Sequence, residues 1–201
     1  MDYKRICSKL LIVALFIIIP LIFTSCKQTS GSSSKPIDLS EGIAVGDKSA
    51  PLQFIEYSSF QCPDCKKLHQ NIQDVLQKYI DEKKIFYVFK PVDVQRFAND
   101  QYVYKNFSNN NENFNMIKTA FEKQDQWSNA KNEEEVKQIL GLENIDTETQ
   151  NKRKETMNRI NIDLKERGIK EVPSFYINGK KFVGVYSKEE FKKLLTKAEA
   201  N

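Results

Sequence analysis

Two cysteines three positions apart, in the run Cys62-Pro63-Asp64-Cys65, are the side chains of this chain best suited to chemistry. Of the four cysteines, Cys7 lies in a leader-like N-terminal segment and Cys26 follows it directly, so the folded part keeps only this pair. A disulfide closing so small a ring stabilises little, because the entropy it removes from the unfolded chain grows with loop length. Chemistry explains the pair better than stapling does. C-x-x-C is the spacing of thiol–disulfide exchange. A second use is metal binding by Cys62, Cys65 and His69, although no second cysteine pair exists to complete a structural zinc site. A third is haem attachment, which needs histidine directly after Cys65, where Lys66 stands.

The neighbours of the pair modulate it. Cys62 falls at the predicted N-cap of a helix and Pro63 at its first position, where proline is favoured. That places the Cys62 sulfur beside unpaired N–H groups and the positive end of the helix dipole, which favour a thiolate. Cys65, one turn further in, is expected to be more buried, making Cys62 the nucleophile and Cys65 the resolving thiol. Asp64 shares the first turn and its charge opposes the thiolate. Glu56, six residues before Cys62, sits inside an apolar run, where burial would raise its pKa. His69 lies on nearly the same helix face as both cysteines and reads as a histidine packed beside the site. Trp127 and the phenylalanines read as core.

These residues need elements to hold them. Residues 52–58 are apolar and compact, as in a buried strand. Leu68, Ile72, Val75, Leu76, Tyr79 and Ile80 recur at helical spacing, predicting a helix over 63–81. A strand over 85–89 completes a β-α-β unit with a right-handed crossover. Near the C-terminus, 174–177, Asn178-Gly179 and 180–186 read as a tight hairpin. Ser187 and Glu190 then form a capping box, with Phe191, Leu194, Leu195 and Ala198 on one face of a closing helix. Between these halves the pattern is helical: Phe114, Ile117 and Phe121 on one face, Val136, Ile139 and Leu140 on another. A long helix with Met157, Ile160 and Leu164 ends at Gly168, and the asparagine-rich stretch 106–115 includes a loop.

The order β-α-β … β-β-α, with C-x-x-C opening the first helix, resembles the thioredoxin fold. More narrowly, FIEYSSFQCPDCKKLH, then VPSFYINGKKFVG and a final helix, are similar to the DsbA-like thiol–disulfide oxidoreductases. The resemblance implies an α/β thioredoxin fold from residues 49–92 plus 170–201, with an inserted helical domain over 93–169. It implies that Pro173, after Val172, is the cis proline whose loop faces the active cysteines. It also implies that Glu56 is the buried acid exchanging a proton with Cys65. By the same resemblance the protein acts, without a cofactor, as an oxidase of protein thiols and is itself reoxidised by a quinone-linked membrane partner. A reductase or isomerase of the same fold, and a copper carrier using Cys62, Cys65 and His69, are the alternatives. Asp64 replaces the histidine that the most oxidising relatives carry between their cysteines, which predicts a less acidic Cys62 and a more reducing couple than theirs.

The whole chain has 201 residues, a formal charge of +4, 40% hydrophobic and 29% charged residues. That suffices for a core, and no basic stripe with interleaved aromatics suggests nucleic acid. Residues 10–23 form a 14-residue apolar run containing Pro20, preceded by Lys4, Arg5 and Lys9. The run is short for a membrane span, which needs ~20 residues, and reads as a secretory signal over 1–25. It ends Phe23-Thr24-Ser25-Cys26, which resembles a lipoprotein signal with Cys26 lipidated. Ordinary cleaved secretion and an uncleaved anchor remain open. All three predict a folded part outside the cytoplasm, in a bacterial envelope, here a monomer tethered by residues 26–48.

Overall fold

A computed structural model of the chain describes residues 35–108 and 112–200. The N-terminal signal, Cys7, Cys26 and the first part of the tether lie outside the described residues, as do 109–111 of the asparagine-rich stretch.

Five strands form one mixed sheet in the order β1-β3-β2-β4-β5. The predicted strand is β2 (Leu52–Ser58), and it pairs in parallel with β3 (Ile85–Pro91), placing Glu56 opposite Phe89. The intervening helix α1 spans Pro63–Asp81, as its apolar spacing requires. The hairpin is β4 (Ser174–Ile177) and β5 (Lys180–Val183), with β4 antiparallel to β2. Its second strand stops at Val183 rather than 186. Gly184, at φ 91°, donates its N–H to Pro173 O (2.9 Å) and turns the chain toward the last helix. That helix, α7 (Lys188–Glu199), starts with the expected capping box of Ser187 and Glu190. Two orphan N–H groups are thereby satisfied at once.

The insert runs through α2 (Asp100–Lys105), α3 (Asn113–Glu122), α4 (Gln124–Trp127), α5 (Glu133–Leu140) and α6 (Thr147–Glu166). Phe114, Ile117 and Phe121 of α3 and Val136 and Leu140 of α5 are buried, whereas Ile139 is only partly so. Helix α6 buries Met157 and Ile160, and Gly168 follows it at φ 60°, a left-handed conformation that favours glycine.

Strand alternation sorts the core into two layers. Phe54 and Glu56 of β2 and Tyr87 and Phe89 of β3 point to the side carrying α1 and α7. Ile55, Tyr57, Phe86 and Val88 point to the other side, against Ile160 of α6. Each fully buried aliphatic or phenylalanine contributes ~1.5–3 kcal/mol of transfer free energy.

One element departs from the sequence reading. Residues 43–46, within the stretch read as tether and lead-in, form the edge strand β1 (Ile43–Gly46), antiparallel to β3. Gly42 and Gly46 hold φ of 115° and 89°, and a Cβ on either would lie 2.3 Å from Phe89 O or 2.5 Å from Ile85 O. Glycine is therefore required for the close approach. Preceded by Gly42, ending on Gly46 and only four residues long, this strand gives little sequence signal.

Candidate active site

Cys62 adopts extended backbone as the N-cap of α1, and Pro63 follows at the first helical position. Its thiol is pulled down to about 6. The main cause is a hydrogen bond from Cys65, opposed by burial and aided by the backbone N–H groups of Cys65 and Asp64. The carboxylate of Asp64 raises it least among these influences. The predicted opposition is present, but the N–H of the same residue outweighs it. Cys65 is fully buried, and burial together with the neighbouring Cys62 sulfur pushes its thiol well above the ordinary value. Both cysteines are unpaired thiols in this structure.

The Val172–Pro173 peptide is cis, as the resemblance implied. The Cys62 thiol donates to Val172 O at 3.7 Å, so the loop before β4 meets the redox helix at that sulfur. Cys62 also opens onto a groove of about 950 Å³, lined by Asp64, Asp93, Arg96, Lys165, Glu171 and Val172 among others.

Beneath the cysteines, Glu56 is fully buried and meets His69 Nε2 at 3.0 Å (Oε2) and 3.2 Å (Oε1). Tyr87 donates its hydroxyl to Glu56 Oε2 at 2.8 Å. Burial alone would raise this carboxyl, but attraction to His69 and hydrogen bonds from His69 and Tyr87 hold it below the ordinary value. This corrects the expected rise. An isolated acid in an apolar strand would be neutralised, whereas a partnered one stays ionised. His69, stacked on Phe121 at 4.1 Å, is packed beside the site as expected, and it is also the acid's partner. Its Nε2 is engaged by the Glu56 carboxylate. Among the described residues, no three His, Cys, Asp or Glu side chains are grouped to hold a metal ion. The buried Ser58 hydroxyl lies beside both Glu56 and Cys65 without a full hydrogen bond to either.

Sequence reasoning missed the polar residues that the insert brings to the loop 59–62. Asp100 Oδ1 accepts from Gln61 N at 3.2 Å, and burial pushes its carboxyl up to about 8. Asn99 N donates to Gln61 Oε1 at 2.8 Å, and Gln124 Nε2 donates to Phe60 O and Cys62 O. No spacing signal connects these residues with a cysteine 37 to 62 positions earlier in the chain.

Such an arrangement can exchange thiols: an acidic cysteine at a groove, a buried second thiol, and a buried acid below. A family model described as thioredoxin matches residues 38–197, and the chain belongs to that family. Its fold is that of the DsbA-like thiol–disulfide oxidoreductases, a mixed-sheet thioredoxin fold with an inserted helical region. Alpha-DsbA1 of Wolbachia pipientis, in a T172V variant, is 25% identical over 82% of this chain and 94% of its own, with a TM-score of 0.63. A periplasmic thioredoxin-like protein of Salmonella enterica serovar Typhimurium is 15% identical (82% and 92% covered, TM-score 0.66). A conserved protein of unknown function from Enterococcus faecalis V583 is 19% identical (80% and 92% covered, TM-score 0.68). The last two likenesses are of fold alone. No curated protein matches the chain significantly.

Proposed function

We propose that the protein is an exported thiol–disulfide oxidoreductase that oxidises protein thiols through a Cys62–Cys65 disulfide. The observation that carries this reading is the unequal placing of the two thiols, Cys62 at the helix N-cap against the cis-proline loop and Cys65 fully buried one turn in, which pulls the first thiol down and pushes the second up. A substrate thiolate attacks Cys62 Sγ, the Cys62–Cys65 bond breaks, and Cys65 leaves with the electron pair. Because Cys65 is a poor thiolate, it takes up a proton. Glu56, beside Cys65 across the Ser58 hydroxyl, relays that proton: it takes one from His69 Nε2 and passes it to the Cys65 sulfur. A second substrate thiolate then attacks the substrate sulfur of the mixed disulfide, forming the product disulfide and releasing Cys62 as a stable thiolate. Pro173 and Val172 present backbone to the substrate beside Cys62. Pro63 and Asp64 tune the thiolate through their place in the first turn.

The reduced enzyme then holds two electrons, which a quinone-linked membrane partner removes to restore the disulfide. Equilibration of the Cys62–Cys65 couple with glutathione tests the direction. A thiol near 6 lies between those of thioredoxin and the strongest oxidases, so the potential is expected between about −270 and −120 mV. A value at or below the lower bound would assign a reductase instead.

The likeness to a periplasmic fold relative, together with the signal over 1–25, supports an extracytoplasmic location. Cys26 is then the lipidated first residue of the mature protein. Cys26→Ala is expected to leave an unprocessed or soluble form in place of a membrane-partitioning one. Intact mass showing cleavage elsewhere without lipid would refute the anchor.

A further inference from the structure

The segment 124–128 of the insert touches the start of α1 at three places. Gln124 Nε2 donates to Phe60 O at 2.7 Å and to Cys62 O at 3.1 Å. Lys66 Nζ meets Asp125 Oδ2 at 2.7 Å, and Gln61 Nε2 donates to Ser128 O at 3.3 Å. Gln124 is 4% exposed, so its contacts are shielded from water. Both partners are carbonyls, so only an –NH₂ group with its two hydrogens satisfies them together. The segment is itself anchored by Trp127, fully buried, whose Nε1 donates to Ala120 O at 2.7 Å.

We propose that Gln124 is a positioning residue for the nucleophile, holding the Phe60 and Cys62 peptides so that the first-turn N–H groups of α1 stay aimed at the Cys62 sulfur. The physical link runs through the cap. Cys62 O also accepts the N–H of Lys66 at 3.0 Å, the bond that closes the first turn. The thiolate is stabilised by the N–H groups of Asp64 and Cys65 in that same turn. A carbonyl pinned from outside keeps the turn from fraying, and a frayed turn no longer points its amides at sulfur. The ionisable groups around Cys62 are Asp64, Cys65 and Lys66 on α1, Asp100 and Asp125 of the insert and, across the groove, Asp93, Arg96, Lys165, Lys170 and Glu171. Gln124 carries no charge, so replacing it by another neutral residue leaves all of these unaltered.

The inference deepens the exchange reading above, which needs an acidic Cys62, yet it is tested apart from that reading. In the reduced full-length protein, the rate of Cys62 alkylation by iodoacetamide is followed against pH for the wild type, Gln124→Met and Gln124→Asn. Methionine keeps the volume without a donor, whereas asparagine keeps the amide but reaches one carbonyl at most. Loss of the cap is expected to raise the Cys62 midpoint by about one unit in Gln124→Met, so that alkylation at pH 6 falls about five-fold. The plateau rate above pH 9 stays the same, and Gln124→Asn falls between. Lower melting temperatures with an unchanged pH profile in both variants would make Gln124 merely structural and overturn the proposal. If methionine prevents folding, the asparagine profile decides alone. The wild-type midpoint tests the exchange reading, because a value near 9 would defeat it; the difference between wild type and variant tests Gln124.

Discussion

Cys65→Ala is expected to accumulate protein bound to substrate through Cys62, whereas Cys62→Ala accumulates almost none. The reason is the unequal setting of the two sulfurs. Cys62 borders the groove and is pulled to about 6, so at neutral pH it is mostly thiolate. Cys65 is fully buried and its thiol is pushed well up. Without Cys65, a mixed disulfide on Cys62 loses its internal resolving thiol and must wait for one from solution. Without Cys62, the remaining thiol is neither ionised nor reachable, and the thiolate is the nucleophile in exchange. Non-reducing electrophoresis after acid quenching, with a disulfide-bonded unfolded protein as substrate, reads the adducts directly: the Cys62 thiolate attacks the substrate disulfide and releases one substrate thiol. The expected ratio between the variants is at least about ten-fold, because one thiol is mostly ionised at neutral pH and the other is held protonated by burial. Equal trapping would reverse or abolish the assignment of nucleophile and resolver.

Replacing Asp100 by Asn is expected to stabilise the protein strongly at pH 8 and hardly at all at pH 4. Asp100 is 2% exposed, and its Oδ2 makes no hydrogen bond among the described residues. Burial pushes its carboxyl up to about 8; the Ser59 hydroxyl and the N–H groups of Gln61 and Phe60 oppose this, and Asp93 adds to it. An unfolded aspartate titrates near ~3.9. The folded state therefore binds the proton more tightly than the unfolded one. This contribution to stability is present in full below about pH 4 and is lost as pH rises through about 8. The full separation corresponds to about 5 kcal/mol at pH 8, and water entry and relaxation reduce it to ~2–4 kcal/mol. Asparagine keeps an oxygen for Gln61 N and cannot ionise, so it escapes the loss. Urea unfolding of both proteins at pH 4, 6 and 8 should show a gap that widens with pH. A gap independent of pH would mean that folding does not raise the Asp100 carboxyl and would overturn this prediction.

The local features of the redox helix were legible because they are encoded at short range. Pro63 at the first turn, the apolar spacing of Leu68, Ile72, Val75 and Leu76, and the Ser187–Glu190 box each act within one or two turns, where backbone geometry leaves few choices. The strand β2 and the hairpin were readable for the same reason. The cis peptide before Pro173 came from resemblance and not from local physics. The edge strand β1 was not legible, since four residues that follow one glycine and end on another carry no strand signal until β3 is beside them.

The sequence by itself determined which atoms can do chemistry: the Cys62–Cys65 spacing, and the helix N-terminus that makes one of them acidic. Only the tertiary structure decided their environment. Glu56 and His69 are 13 positions apart, and β2 and α1 must pack before a costly buried acid becomes a partnered one. Gln124 and Asp100 reach the loop 59–62 from an insert whose own pattern reveals only apolar faces. Electrostatics and hydrogen bonds act over a few ångströms in space, and separation along the chain does not report that distance.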